Sequence, residues 1–90
     1  MYELKFTSEA DYDLKKLKKS EPKAAEKALK LLKEIIYTPY TGTGKPHQLT
    51  GDRAGQWSRR ITQKHRLIYT VNENEIRVLV LAAYGHYDDK

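Results

Sequence analysis

Ninety residues suffice for one modest hydrophobic core, so a single domain over residues 1–90 is expected, without room for a second. With 39% hydrophobic and 32% charged residues the chain reads as soluble and globular, which excludes a disordered polymer. No stretch has the length of a membrane span or the apolar core of a signal peptide. The lack of cysteine excludes a disulfide framework and a thiolate zinc site, so a cytoplasmic protein is the economical expectation.

Along the chain, Tyr2 to Phe6 alternates as a short strand does. Ser8-Glu9-Ala10-Asp11 has the form of a capping box, a serine with an acid three residues on, and predicts a helix carrying Ala10, Leu14 and Leu17 on one face. Lys18-Lys19-Ser20 closes that helix, and Ser20-Glu21-Pro22 opens a second with proline in its first turn. Ala25, Ala28, Leu29, Leu32, Ile35 and Ile36 give this second helix an apolar stripe, and Thr38-Pro39 ends it. Glycine and proline then mark loops over 40–46 and 51–55. Strand signals follow at 47–49, 56–61, 65–71 and 75–84, joined at 62–64 and 72–74 by links short enough for hairpins. The expected fold class is α+β: an N-terminal strand, two antiparallel helices, then a mainly antiparallel twisted sheet with the helices on one face.

Charge divides the chain in two. A net charge of +5 and a pI near 9.4 favour a polyanionic partner, either nucleic acid or an acidic protein segment. The five arginines (Arg53, Arg59, Arg60, Arg66 and Arg77) all follow residue 50, whereas ten of the twelve lysines lie at or before Lys45. Lysine solubilises helices; the arginine fork grips phosphate oxygens two at a time. Strand parity sharpens this. If Trp57, Ile61, Leu67, Tyr69 and Val71 face the helices, then Ser58, Arg60, Arg66 and Thr70 face away. Arg59 falls on the apolar side and is expected at its edge. Trp57 and Tyr69 are expected as core aromatics, while Tyr84 and Tyr87 are the better candidates for stacking on bases.

Several chemistries find no support. His47, His65 and His86 are far apart and match no metal-ligand spacing, so no metal and no cofactor is expected. Thr41-Gly42-Thr43-Gly44-Lys45 resembles a phosphate loop only superficially, because it follows a helix and its lysine precedes proline. What remains is phosphodiester cleavage carried by side chains. It needs a base for the 2′-hydroxyl, a cation for the crowded phosphorane and an acid for the departing 5′-oxygen. Arg60 and Arg66 on one face, with His86-Tyr87 beyond the last strand, could supply much of this. The alternative is that both arginines are ordinary solvated charges and the last residues a frayed end.

The run G-K-P-H-Q-L followed by W-S-R-R-I-T-Q-K-H-R-L-I-Y, from Gly44 to Tyr69, and then G-H-Y at Gly85-His86-Tyr87, resembles the YoeB/Txe family of toxins in the RelE-like superfamily. The likeness extends over nearly the whole chain. It implies a small endoribonuclease, the toxin of a type II toxin–antitoxin pair, that cuts messenger RNA on the ribosome and so inhibits translation. Carried over by position, Arg66 would stabilise the transition-state phosphate, and Arg60, with Arg59 and Lys45, would bind RNA. His86 would be the acid, and Tyr87, with Tyr84 nearby, would orient or stack on substrate. Implied partners are messenger RNA, the ribosome with its RNA, and a small acidic antitoxin; a homodimer is also compatible with the resemblance, and no membrane is involved.

The sequence departs from that pattern at three places. The family has glutamate, its expected general base, where this chain has His47. Thr50 stands where a lysine is common, and Asp88, Asp89 and Lys90 follow the last tyrosine. A neutral imidazole accepts a proton at neutral pH, so His47 could replace the glutamate as base. Alternatively, the chain is a weakened homologue that binds RNA and antitoxin without efficient cleavage. A DNA-binding role has least support, since both helices commit an apolar stripe to the core.

Overall fold

The computed structural model describes residues 1–85; the expectations placed on His86, Tyr87 and the three residues after them lie outside the described residues. Strand β1 (Glu3–Phe6) leads into helix α1 (Ser8–Ser20) and helix α2 (Pro22–Ile35). Then come β2 (His47–Gln48), a single 3-10 turn (Gly51–Arg53), β3 (Trp57–Arg60), β4 (Arg66–Asn72) and β5 (Arg77–Ala82). The five strands form one sheet in the order β1-β5-β4-β3-β2, antiparallel except for the parallel β1–β5 pair. This is the expected α+β arrangement. The parallel pair follows from topology: after the two helices the chain re-enters at β2 on the far edge, running opposite to β1, and three antiparallel steps then bring β5 beside β1 in the same direction.

Helix α1 is capped one residue earlier than its sequence suggests. Thr7, not Ser8, is the cap: its Oγ1 accepts the Ala10 amide at 3.0 Å and donates to the Leu81 carbonyl at 2.9 Å. The Thr7 amide also pairs with Val80 O, so the strand hands over to the helix without a linker. Such a cap contributes about 1 kcal/mol. A single residue, Glu21, joins α1 to α2, and Pro22 sits at the start of α2 where its missing N–H costs nothing.

The core lies between the helices and one sheet face. Leu17 of α1 and Ala24, Ala28, Leu31, Leu32 and Ile35 of α2 meet Leu67, Tyr69, Val78 and Val80. Full burial of Leu31 or Ile35 contributes roughly 1.5–3 kcal/mol each. The stripe on α2 is rotated from the expected one: Ala24 and Leu31 point inward, while Leu29 is 54% exposed. Leu29 instead lines an open groove of about 340 Å³ between the helices, with Leu14, Pro22 and Leu32. The opposite sheet face carries a small satellite cluster of Leu49, Ile68 and Ala82, with Leu81 against it. No helix among the described residues is long and apolar enough to cross a membrane.

Candidate active site

Cross-strand register decides which side chains share a face. Arg60 pairs with Arg66, Ser58 with Ile68, and His47 with Ser58. Side chains of paired residues lie on the same side, as do residues two apart on one strand. His47, Arg60 and Arg66 therefore share the sheet face away from the helices. Arg60 and Arg66 are half-buried there, and the Nε of Arg66 is buried.

The loop before β2 is held against β3. The Arg60 amide donates to Gly44 O at 2.7 Å, which extends the sheet edge past the end of β2. Gly44 has φ +86°, and a Cβ there would lie 3.0 Å from the Arg60 carbonyl oxygen and 3.3 Å from Arg59 Cβ. Only glycine fits this approach without displacement. Lys45 follows Gly44, exposed and with φ 52°. The His47 Nδ1 lies 3.2 Å from the Lys45 carbonyl oxygen. A carbonyl only accepts, so in the neutral ring the proton sits on Nδ1 and the lone pair on Nε2. That tautomer leaves Nε2 as the basic nitrogen of the ring.

The sequence expectation for Arg59 was an RNA contact from the edge of the apolar face. The structure corrects this: its side chain is 0% exposed and every donor direction has an internal acceptor. Nη1 reaches Glu34 Oε1 at 2.5 Å and Thr43 O at 3.2 Å; Nη2 reaches Thr38 O at 2.6 Å and Thr41 O at 2.8 Å; Nε reaches the Tyr69 hydroxyl at 3.1 Å. Tyr69 in turn donates to Pro39 O at 2.7 Å. Glu34 also accepts the Thr43 amide and hydroxyl, at 2.7 and 3.1 Å. Burial acts to raise the Glu34 carboxyl, but the Thr43 and Arg59 bonds outweigh it and hold the group below its ordinary value. Arg59 is thus the staple that fastens residues 38–43, and the loop leading to Lys45 and His47, onto the sheet.

Tyr84 is the second correction. Its ring lies on the helix side, 4.4 Å from the His65 ring and with Lys16 Nζ 4.1 Å above its centre, so it is not presented on the face of Arg60 and Arg66. Trp57 and Tyr69 behave as core aromatics: Tyr69 is fully buried, and Trp57 packs on the core and against Tyr40 at 5.0 Å.

The chain beyond β5 arrives beside Arg66. The Arg66 amide donates to Gly85 O at 3.0 Å, and Gly85 turns with φ +80°. His65, on which the sequence placed no role, is buried; its Nδ1 accepts the Gly85 amide at 2.9 Å and its Nε2 lies 2.7 Å from Glu21. The bond from His65 is the main cause that holds the Glu21 carboxyl below its ordinary value, against the opposing effect of burial. Buried Asp13 of α1 accepts the Ala83 amide at 3.0 Å; burial raises its carboxyl, partly offset by that bond. A signal for two of these residues was present: Arg59 and His65 both occupy apolar-parity positions, where a polar side chain must find buried partners.

Comparison with known proteins gives the family and the fold. Residues 6–87 match the family described as YoeB-like toxin of bacterial type II toxin–antitoxin system. Toxin YoeB of Streptomyces coelicolor is 39% identical over 82 residues, covering 91% of this chain and 95% of that protein. A solved YoeB/ParE toxin from Agrobacterium tumefaciens superposes with a TM-score of 0.89 at 36% identity, covering 94% of this chain and 99% of that one. The Staphylococcus aureus YoeB has been solved in complex with YefM and as a dimer. The TM-scores are 0.82 and 0.83 at 32% and 33% identity, covering 97% and 96% of this chain and 99% and 98% of the other. The chain belongs to the YoeB family of toxins of bacterial type II toxin–antitoxin systems.

Proposed function

We propose that this toxin is an endoribonuclease that cleaves messenger RNA on the ribosome by acid–base attack of the 2′-hydroxyl on the neighbouring phosphate. The observation that carries the reading is the convergence of His47, Arg60 and Arg66 on one sheet face, with the chain leaving Gly85 at the Arg66 amide. His47 Nε2 takes the 2′-hydroxyl proton, and the 2′-oxygen attacks phosphorus. Arg66 neutralises the charge that grows on the phosphorane oxygens, and Arg60 with Lys45 holds a neighbouring phosphate. As the bond to the 5′-oxygen breaks, His86 protonates that oxygen, with Tyr87 orienting the substrate; the product carries a 2′,3′-cyclic phosphate that can open to a 3′-phosphate. Each of these steps runs through a side chain and needs no metal.

The charge of +5 steers the protein towards the ribosome's RNA, a contribution that weakens with salt. The natural restraint is a small acidic antitoxin that folds over the basic face. The Staphylococcus aureus YoeB is paired with YefM in its solved complex, and its dimer makes self-association of this chain a further expectation. The cytoplasm, where ribosomes are, is the corresponding location. A second reading, a homologue that binds RNA and antitoxin with weak catalysis, is favoured by one observation, the histidine at position 47. Cleavage of messenger RNA on programmed ribosomes, comparing the wild type with Arg66→Ala and His86→Gln, separates the two. Cleavage that survives both substitutions removes the proposed site.

A further inference from the structure

The three bonds that receive the end of the sheet come from three different residues of the surrounding fold. Asp13 on α1 accepts the Ala83 amide, the Arg66 amide on β4 donates to the Gly85 carbonyl, and His65 accepts the Gly85 amide. Both polar groups of Gly85 are thereby fixed, one on Arg66 itself and one on the residue before it. A backbone amide can only donate, so His65 Nδ1 must be the accepting nitrogen and Nε2 carries the proton, which it donates to Glu21 at 2.7 Å. The Glu21 contact thus selects the tautomer that can hold Gly85, in the way a carboxylate orients a metal-binding or catalytic histidine from behind. The Tyr84 ring packs against the imidazole at 4.4 Å, and Lys16 Nζ lies over the Tyr84 ring.

We propose that His65, oriented by Glu21, is a positioning residue that registers the peptide leaving Gly85 against Arg66. The proposal rests on the ribonuclease reading given above, in which His86 is the next residue in the chain. Gly85 has φ +80° and open space around its Cα, so neither sterics nor backbone preference fixes the direction of exit there. The His65 and Arg66 bonds supply that restraint. An acid displaced by ~1 Å from the leaving oxygen forfeits about 100-fold in rate, while phosphate contacts made by Arg60 and Lys45 are untouched. The signature is therefore a loss in kcat with KM retained.

Asparagine and glutamine separate this role from simple packing. Asparagine places an amide oxygen near the position of Nδ1 and keeps an acceptor for Gly85; glutamine reaches the position of Nε2, keeps the Glu21 contact and loses Gly85. On programmed ribosomes His65→Gln is expected to lower kcat about 10- to 100-fold with KM within about threefold, and His65→Asn to recover most of that loss. Amide hydrogen exchange provides a readout independent of activity: the Gly85 amide exchanges at least about tenfold faster in His65→Gln than in wild type or His65→Asn. Glu21→Ala, at a half-exposed position, leaves the fold intact and accelerates the same amide. Unchanged Gly85 exchange in both His65→Gln and Glu21→Ala overturns the proposal whether or not RNA is cut. Equal losses of kcat and Tm in the Asn and Gln variants also overturn it. A wild type that cuts no RNA but shows the exchange pattern refutes the ribonuclease reading and leaves the positioning of Gly85 standing.

Discussion

Adjacent arginines at 59 and 60 are predicted to fail in opposite ways when each is replaced by methionine. Arg59→Met removes the cation from a pair whose arginine is fully buried and whose glutamate side chain is 34% exposed. Breaking a buried pair from one side costs about 3–5 kcal/mol. Glu34 retains two bonds from Thr43, and Thr38, Thr41 and Thr43 are exposed residues whose carbonyls can turn to water once the guanidinium is gone, so the lower end, about 3 kcal/mol, applies. Against a total stability of about 5–15 kcal/mol this is a large fraction. For a domain of this size Tm should fall by about 12 °C or more. Arg60→Met leaves that network intact, so stability should change by less than about 1 kcal/mol. Its effect falls on RNA: weaker binding, with the salt dependence of the affinity reduced by about one counterion. Thermal denaturation and RNA-binding titrations at several salt concentrations measure both quantities. An Arg59→Met protein that melts like wild type yet loses RNA affinity would refute the assignment of Arg59 as the loop staple.

Three further outcomes follow from the same geometry. His47→Gln should lower messenger RNA cleavage, whereas His47→Glu, which restores a carboxylate base, should match or exceed wild type; equal cleavage by all three excludes His47 as the base. Gly44→Ala meets the Arg60 carbonyl at 3.0 Å with an unfavourable φ, so about 1–3 kcal/mol and much of the cleavage are lost. Gly51→Ala shares the left-handed backbone, at φ +66°, but has nothing within 4 Å of the added Cβ, so it carries the backbone cost without the clash and should leave cleavage intact; similar cleavage by both variants would contradict the role given to the 44–47 loop. Stability should also decline in acid. Glu34 is held below the ordinary 4.5, so the unfolded chain binds the extra proton, and the contribution present above that value is lost as pH falls through the folded one. Asp13, whose carboxyl is raised, acts in the opposite sense, so the informative comparison is with Glu34→Gln. That variant should show a smaller drop in Tm between about pH 6.5 and about pH 3.5, a window that brackets the carboxylate range; an equal drop removes Glu34 as the cause.

Much of the architecture is legible in the sequence because binary pattern and turn chemistry agree along the chain. The strand–helix–helix–meander order and the shared face of Arg60 and Arg66 follow from periodicity, and the Pro22 start of α2 from proline's preference for a first helical turn. The errors arise where tertiary contacts choose among locally equivalent residues. Thr7 and Ser8 are both competent caps, and the choice falls to Thr7 because its amide and hydroxyl also pair with β5. Ala24 and Ala25 are interchangeable by pattern, and the angle at which α2 meets the sheet buries the former. Pattern alone puts Arg59 at an edge because a lone arginine on an apolar face is costly. The partners that make burial tolerable, Glu34 and the carbonyls of residues 38–43, are some twenty positions away in sequence and cannot be seen in the dipeptide. His65 escapes a sequence reading for the same reason, since Glu21 and Gly85 meet only in the folded chain.

The central claim, that the face bearing His47, Arg60 and Arg66 cuts RNA, is tested most directly by single-turnover cleavage of messenger RNA on programmed ribosomes with mapping of the new ends. Wild type should produce a discrete cut ending in a 2′,3′-cyclic or 3′-phosphate, and Arg66→Ala should lower the rate about 100-fold or more. No cut by wild type at any salt concentration, or a rate unchanged by Arg66→Ala, would contradict the account.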